Sequence, residues 1–154
     1  EMNTSAWTYG NGTSSISATC GGGTWTFSGT VGAANATGSN TAGFGFTLQG
    51  YVHDNTANTN PNCAVFDLSA YSGLSISLAS PSGAIASVGI GVNLADGSKG
   101  KKEISVGTTA TAVTITWSQL GITDASQITA IWGNFINGSS GVTVDLVIDK
   151  FGLQ

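Results

Sequence analysis

The stretch Ser87-Val-Gly-Ile-Gly-Val-Asn-Leu94 (SVGIGVNL) decides the fold. Val88, Ile90, Val92 and Leu94 alternate with Ser87, Gly89, Gly91 and Asn93. This period of two puts branched apolar side chains on one face of a strand and small or polar groups on the other. A helix would scatter the same residues around its circumference. The alternation returns in Val142, Val144, Leu146 and Ile148, set against Thr143, Asp145, Val147 and Asp149. Gly89 and Gly91 leave the outward face of their strand bare. Such glycines mark either close approach of a ligand or a bulge and tight curvature, and both readings stand at this point.

Working outward, strand-like runs rich in β-branched and aromatic residues recur between clusters of Gly, Asn, Ser and Asp. They are Ser5–Gly10, Ser14–Cys20, Thr24–Val31, Gly43–Gln49, Ala64–Asp67, Leu74–Ala79, Ile85–Leu94, Lys102–Val106, Ala112–Trp117, Ile128–Asn134 and Val142–Leu153. Ser118–Ser126 (SQLGITDAS) is the one place for a helical turn. This predicts an all-β fold, an antiparallel β-sandwich of about ten strands with negligible helix. The 154 residues show no internal repeat or linker tract, so residues 1–154 read as one β-sandwich domain.

Charged residues are only 8% of the chain, and its net charge of −4 comes from eight acids against four lysines. Phosphate recognition leans on arginine forks and basic patches. Three of the lysines (Lys99, Lys101, Lys102) are read as sitting in one loop and arginine is absent, which argues against a nucleic-acid partner. No apolar run is long enough for a membrane-spanning helix. A surface of hydroxyls and amides suits a secreted, extracellular protein, and any secretory leader before Glu1 is expected to have been removed. Cys20 and Cys63 each precede a strand-like run. In an oxidising setting they are expected to form a disulfide, stabilising by about 4 kcal/mol in the chain-entropy model, with two unrelated buried thiols as the alternative.

Catalytic arrangements are sparse. His53 with Asp54 is an adjacent pair in a polar stretch, YVHDNTANTNPN, and adjacent residues in a loop rarely face one another. Asp145 and Asp149 share a strand face but lie about 13 Å apart by strand rise, beyond the span of a glycosidase carboxylate pair. The aromatics say more. Rings stack on the apolar faces of pyranose sugars while neighbouring amides and hydroxyls bind the sugar hydroxyls. Trp25 with Phe27, and Trp117 with Val113 and Ile115, read as core, and Tyr71 as a turn residue packing locally. Trp7, Tyr9, Tyr51 and Trp132 sit among polar neighbours. With Gln49, His53 and Asn134 they form the candidate carbohydrate-binding set.

Several longer stretches carry a family resemblance: SAWTY (5–9), TWTFSGTVG (24–32), AGFGFTL (42–48), DLSAYSGLSI (67–76), WSQLGITDASQITAIW (117–132) and VDLVIDKFGL (144–153). In this order the chain resembles bacterial carbohydrate-binding modules of the galactose-binding-like jelly-roll type, which are appended to cellulases and related secreted hydrolases. The resemblance implies a non-catalytic module whose concave sheet binds a plant-cell-wall β-glucan, cellulose or a related β-1,4-linked chain, or xylan. It also implies a monomer within a larger multidomain hydrolase, and a structural Ca²⁺ at Asp149 with an early acid, Glu1. The chain departs from the pattern in lacking an acid-rich lead-in before its first strand. Two other functions fit the composition: a structural or adhesin-like extracellular domain, and a small jelly-roll glycosidase or lyase. Convergence of the rings on one exposed face separates the first reading from these.

Overall fold

The computed structural model describes residues 5–10, 13–33, 42–47, 65–135 and 141–154, with only the backbone described at Ser5, Trp7 and Thr47. The strands are β1 (Ser5–Gly10), β2 (Ser15–Gly21), β3 (Thr24–Val31), β4 (Ala42–Thr47) and β5 (Gly73–Ala79). They continue with β6 (Ser87–Leu94), β7 (Lys99–Ser105), β8 (Thr111–Thr116), β9 (Ile128–Phe135) and β10 (Val142–Leu153). Sheet A has the order β1-β4-β9-β6-β7 and sheet B the order β2-β3-β10-β5-β8. Every pairing is antiparallel. The expected two-sheet sandwich is therefore observed. No helix among the described residues is long and apolar enough to cross a membrane.

The inner faces follow the alternation read from the sequence. Val88, Ile90 and Val92 on β6 are buried, as are Val144, Leu146 and Ile148 on β10. Aromatic rings fill one part of the core: Phe27 stacks on Phe44 at 4.5 Å, and Phe46 on Phe151 at 4.2 Å. Gly133 on β9 makes room for this cluster, because a Cβ there would stand 2.6 Å from Cε2 of Phe44. Trp25 packs edge-on against Phe46 at 6.4 Å. Trp117 is buried and its indole donates to the Tyr71 carbonyl at 2.6 Å. Tyr71 itself is 42% exposed, so only its backbone packs as expected.

Turn chemistry closes the hairpins. Gly22 and Gly23, with φ of 60° and 82°, form the two-residue link between β2 and β3, the primed geometry that matches strand twist. The expected helical turn appears as two short 3-10 turns, Ser118–Leu120 and Ala125–Gln127. Asp124 caps the second by accepting from the Ser126 amide at 2.9 Å. Two expectations are corrected. Lys99, Lys101 and Lys102, read as a loop, lie on β7, because their backbone pairs in register with Asn93, Gly91 and Ile90 of β6. The other is a strand. Within Ala64–Asp67, Ala64 lies outside the described residues, and Phe66 makes a single bridge to Ile128 without building a strand. Phe66 packs on the core and meets Ile128 on the β9 edge opposite β6, the edge that β4 pairs from Ile131 onward.

Candidate functional site

The outer face of sheet A is ordered in rows by strand register. One row runs Trp7, Gly45, Trp132, Gly91, Lys101 from β1 to β7. The next runs Tyr9, Gly43, Asn134, Gly89, Glu103. Large groups on β1 and β9 thus alternate with glycines on β4 and β6, and charged residues close each row on β7.

The glycines act as floors. A Cβ on Gly91 would overlap Cζ2 of Trp132 and stand 2.7 Å from its Cε2, so the indole lies sideways across the neighbouring strand. Its Nε1 donates to Oδ1 of Asn93 at 2.9 Å, which pins the ring in that pose. Tyr9 does the same over Gly43, where a Cβ would meet its Oη at 2.5 Å and its Cζ at 2.7 Å. The Tyr9 hydroxyl donates to the Gly133 carbonyl at 3.3 Å. Burial pushes the phenol pKa up to about 12, so it stays a neutral donor throughout the working pH range. Gly89 carries Asn134 and Lys101. A Cβ there would overlap Asn134 Oδ1 and approach Lys101 Cδ at 3.1 Å. At these glycines the close approach is made by the protein's own side chains, Trp132, Asn134 and Lys101, a reading not among the two left open. The register shift between β6 and β9 falls later, at Asn93 and Leu94. Tyr9, Trp132 and Asn134 are each half-buried. β1 and β9 are two strand spacings apart, about 9.5 Å, and both rings lean toward β7, so the spacing between them is kept.

Three of the expected site residues, Tyr9, Trp132 and Asn134, are therefore brought together on one face. For Trp7 only the backbone pairing with Gly45 is described. Gln49, Tyr51 and His53 lie outside the described residues. Asn93 and Lys101 were missed by sequence reasoning. The signal for them was present: Asn93 shares the alternation of Gly89 and Gly91, and Lys99, Lys101 and Glu103 follow the same period along β7.

The acids sit elsewhere, apart from Glu103, the only one on a sheet A strand among the described residues. Asp67, Asp96 and Asp124 each accept from the hydroxyl of the serine two residues on, Ser69, Ser98 or Ser126, and from its amide. Those hydroxyls, then those amides, hold all three carboxyls below their usual range. Asp149 on β10 is exposed and accepts from Thr24 Oγ1 at 3.2 Å. Calcium takes six to eight oxygen ligands. Among the described residues no group of three or more acids, histidines or cysteines assembles around Asp149 or anywhere else, and Glu1 lies outside them. The described part of the expected calcium site thus supplies one carboxylate and one hydroxyl. Cys20 is an exposed free thiol on β2, so the expected bridge is not formed there, and Cys63 lies outside the described residues. As the edge of sheet B, β2 leaves that thiol facing solvent.

No family model and no curated protein matches the chain. Solved structures do. A family 11 carbohydrate-binding module of the cellulosomal cellulase Lic26A-Cel5E of Clostridium thermocellum is similar, with TM-score 0.63, 13% identity, and coverage of 99% of this chain and 88% of that one. The same kind of module from Clostridium thermocellum, in complex with a β-1,3-1,4-mixed-linked tetrasaccharide, gives TM-score 0.66 and 15% identity, covering 96% and 87%. PfGH50B matches at TM-score 0.61 and 11% identity, with 97% of this chain aligned to 22% of that one. At these identities what is shared is the fold.

Proposed function

We propose that this chain is a secreted, non-catalytic carbohydrate-binding module that seats a β-linked glucan chain on the outer face of sheet A. One observation carries the reading: the Trp132 ring laid over Gly91 and pinned by Asn93, with Tyr9 over Gly43 two strand spacings away. Sugar-binding rings gain from being held before the ligand arrives, since binding then orders less. Indole and phenol offer broad apolar surface to pyranose rings, and the amides beside them meet hydroxyls. Each stacked sugar buries modest apolar area, and its hydrogen bonds largely replace bonds to water. Several subsites must act together, which favours a polymer over a monosaccharide. The relatives in fold include a module holding a mixed-linkage tetrasaccharide, which agrees with this ligand class.

Affinity electrophoresis tests the proposal, with mixed-linkage β-glucan, a soluble cellulose derivative and xylan in the gels. Dissociation constants are expected between micromolar and millimolar, about −4 to −8 kcal/mol. For a neutral glucan they should change little with salt. Trp132→Ala is expected to weaken binding by about 1–3 kcal/mol with the fold intact. If none of these polysaccharides retards the protein, the reading fails and a structural or adhesin-like role replaces it. Calcium at Asp149 with Glu1 belongs to the same proposal. Dialysis against EDTA should then lower the melting temperature, and an unchanged melting curve would remove calcium from it.

A further inference from the structure

We infer that the outer face of sheet A selects a β-glycan that carries carboxylates over the same backbone without them, through Lys101, Lys99 and the amides of Asn93 and Asn134. The inference rests on the proposed carbohydrate-binding reading and narrows its ligand. It follows from where each polar group on the face spends its hydrogen bonds. Trp132 Nε1 is a donor only, so the Asn93 atom it meets at 2.9 Å must be the amide oxygen. The Asn93 NH₂ is then the free end of that side chain. On Asn134 the buried end is Oδ1, which has no hydrogen-bond partner and lies against Gly89. An oxygen there can accept a weak contact from the glycine Cα–H. The reversed amide would bury an NH₂ without any acceptor, at higher cost. Asn134 therefore also presents NH₂ outward.

The cations complete this pattern. Lys99 and Lys101 lie on the outer side of β7, opposite Asn93 and Gly91 in register. Both are exposed, and among the described residues neither side chain has a hydrogen bond or ion pair. The Lys101 stem crosses Gly89 beside Asn134, which carries its ammonium in over the face. Among the described residues the face thus offers two amide NH₂ groups and two ammonium groups against one acid, Glu103. A sugar hydroxyl brings a proton as well as lone pairs, and on such a donor-rich surface Glu103 and water are left to accept it. A carboxylate brings lone pairs only and matches both amide and ammonium donors, with the shorter and stronger bonds of a charge-assisted pair. The molecule's net charge of −4 lies elsewhere, while three of its four lysines sit on this one strand.

The test compares two polymers with one backbone: carboxymethylcellulose and hydroxyethylcellulose, each cast in affinity gels at low salt. The folded full chain is expected to bind the carboxymethyl polymer at least fivefold more tightly. That ratio should fall toward one in Lys99→Gln/Lys101→Gln and in 0.5 M NaCl, and rise in Glu103→Gln. Circular dichroism and melting curves establish that each variant is folded. Equal or tighter binding of hydroxyethylcellulose overturns the carboxylate preference and leaves the glucan reading standing. A preference that survives both the double substitution and salt also overturns it, by showing that these lysines do not produce it. Retardation by neither polymer overturns the carboxylate preference, and the glucan reading falls with it only if mixed-linkage β-glucan and xylan also fail to retard the protein.

Discussion

On the outer face of sheet A, rings and amides lie over glycines. On the outer face of sheet B, serine and threonine occupy Ser15, Ser17 and Thr19 of β2, Thr26, Ser28 and Thr30 of β3, and Thr143 of β10. Both sheets bury the same kind of branched and aromatic residues on their inner side. They differ in what the outward polar groups do. Ser17 Oγ lies 3.1 Å from Ser28 Oγ and 3.2 Å from the Ser28 carbonyl, so these hydroxyls satisfy one another and the backbone. Asp145, outward on β10, accepts from the Ser80 hydroxyl and from the Ser82 amide at 2.6 Å, and so ties down the loop after β5. On sheet B's outer face, Ser17, Ser28 and Asp145 thus spend their polar groups within the protein, while the hydroxyls around them are small and lie on no glycine floor. On sheet A the glycines let large groups lie flat, and donors are left over. A bare strand face thus becomes a candidate site when a neighbouring strand supplies a ring long enough to cross it.

Five substitutions press on this comparison. The largest effect is expected from Trp117→Ala, which empties a buried site and removes the bond to Tyr71, at a cost of about 3–5 kcal/mol in urea unfolding. Trp132→Ala, on the half-buried sheet A face, should cost under about 2 kcal/mol in the same assay. Equal losses would mean that Trp132 is core and not platform. Gly91→Ala comes next. Its methyl group would collide with the indole and stand 2.7 Å from the Gly100 carbonyl. A loss of about 1–3 kcal/mol is expected from such overpacking, together with weaker glycan binding as the ring is lifted. A stable Gly91→Ala variant with unchanged binding would show that the floor has no role.

Asp145→Asn probes the outer face of sheet B. Burial raises the Asp145 pKa, but the Ser80 and Ser82 hydroxyls and the Ser82 amide outweigh it and hold the carboxyl below its usual range. A depressed folded value stabilises the protein above the unfolded pKa near 3.9, and this contribution fades as pH falls through the folded value. Asp145→Asn should therefore cost about 1–2 kcal/mol at neutral pH and flatten the acid limb of the stability profile. Melting curves from pH 7 down to pH 2 read both effects, and an acid limb identical to the parent's would remove Asp145 from it. The smallest effect is expected at Thr30→Ala, exposed on sheet B: within about 0.5 kcal/mol of the parent in stability, with glycan binding unchanged. A clear loss of binding there would move the site to the other sheet.

The fold was legible because alternation is a local property. β1, β3 and β10 begin and end where the residue pattern says, from Ser5, Thr24 and Val142. Phe66 shows the limit: its apolar neighbours resemble a strand, yet β4 takes that edge of β9 from Ile131 onward and Phe66 keeps a single bridge at Ile128. The outward direction of Trp132 and Asn134 was also legible. Their sideways pose was not, because it depends on which distant residues stand opposite. Gly91 and Trp132 meet only through the β6–β9 register, and nothing local to either announces it. Asn93 acquires its role through that same register.

That topology also governs how the chain reaches its native state. The centre of sheet A is β9, held between β4 and β6, and the centre of sheet B is β10, held between β3 and β5. These are the last two strands in the sequence. As the polypeptide lengthens, β1 with β4, β2 with β3, β5 with β8 and β6 with β7 can pair, but neither sheet can close until residues 128–153 exist. Closure then joins segments far apart in sequence, for which the loop entropy must be met before the contacts repay it, and folding in the millisecond-to-second range follows. The ring platform shares this timing, since Trp132 lies on the strand that completes sheet A.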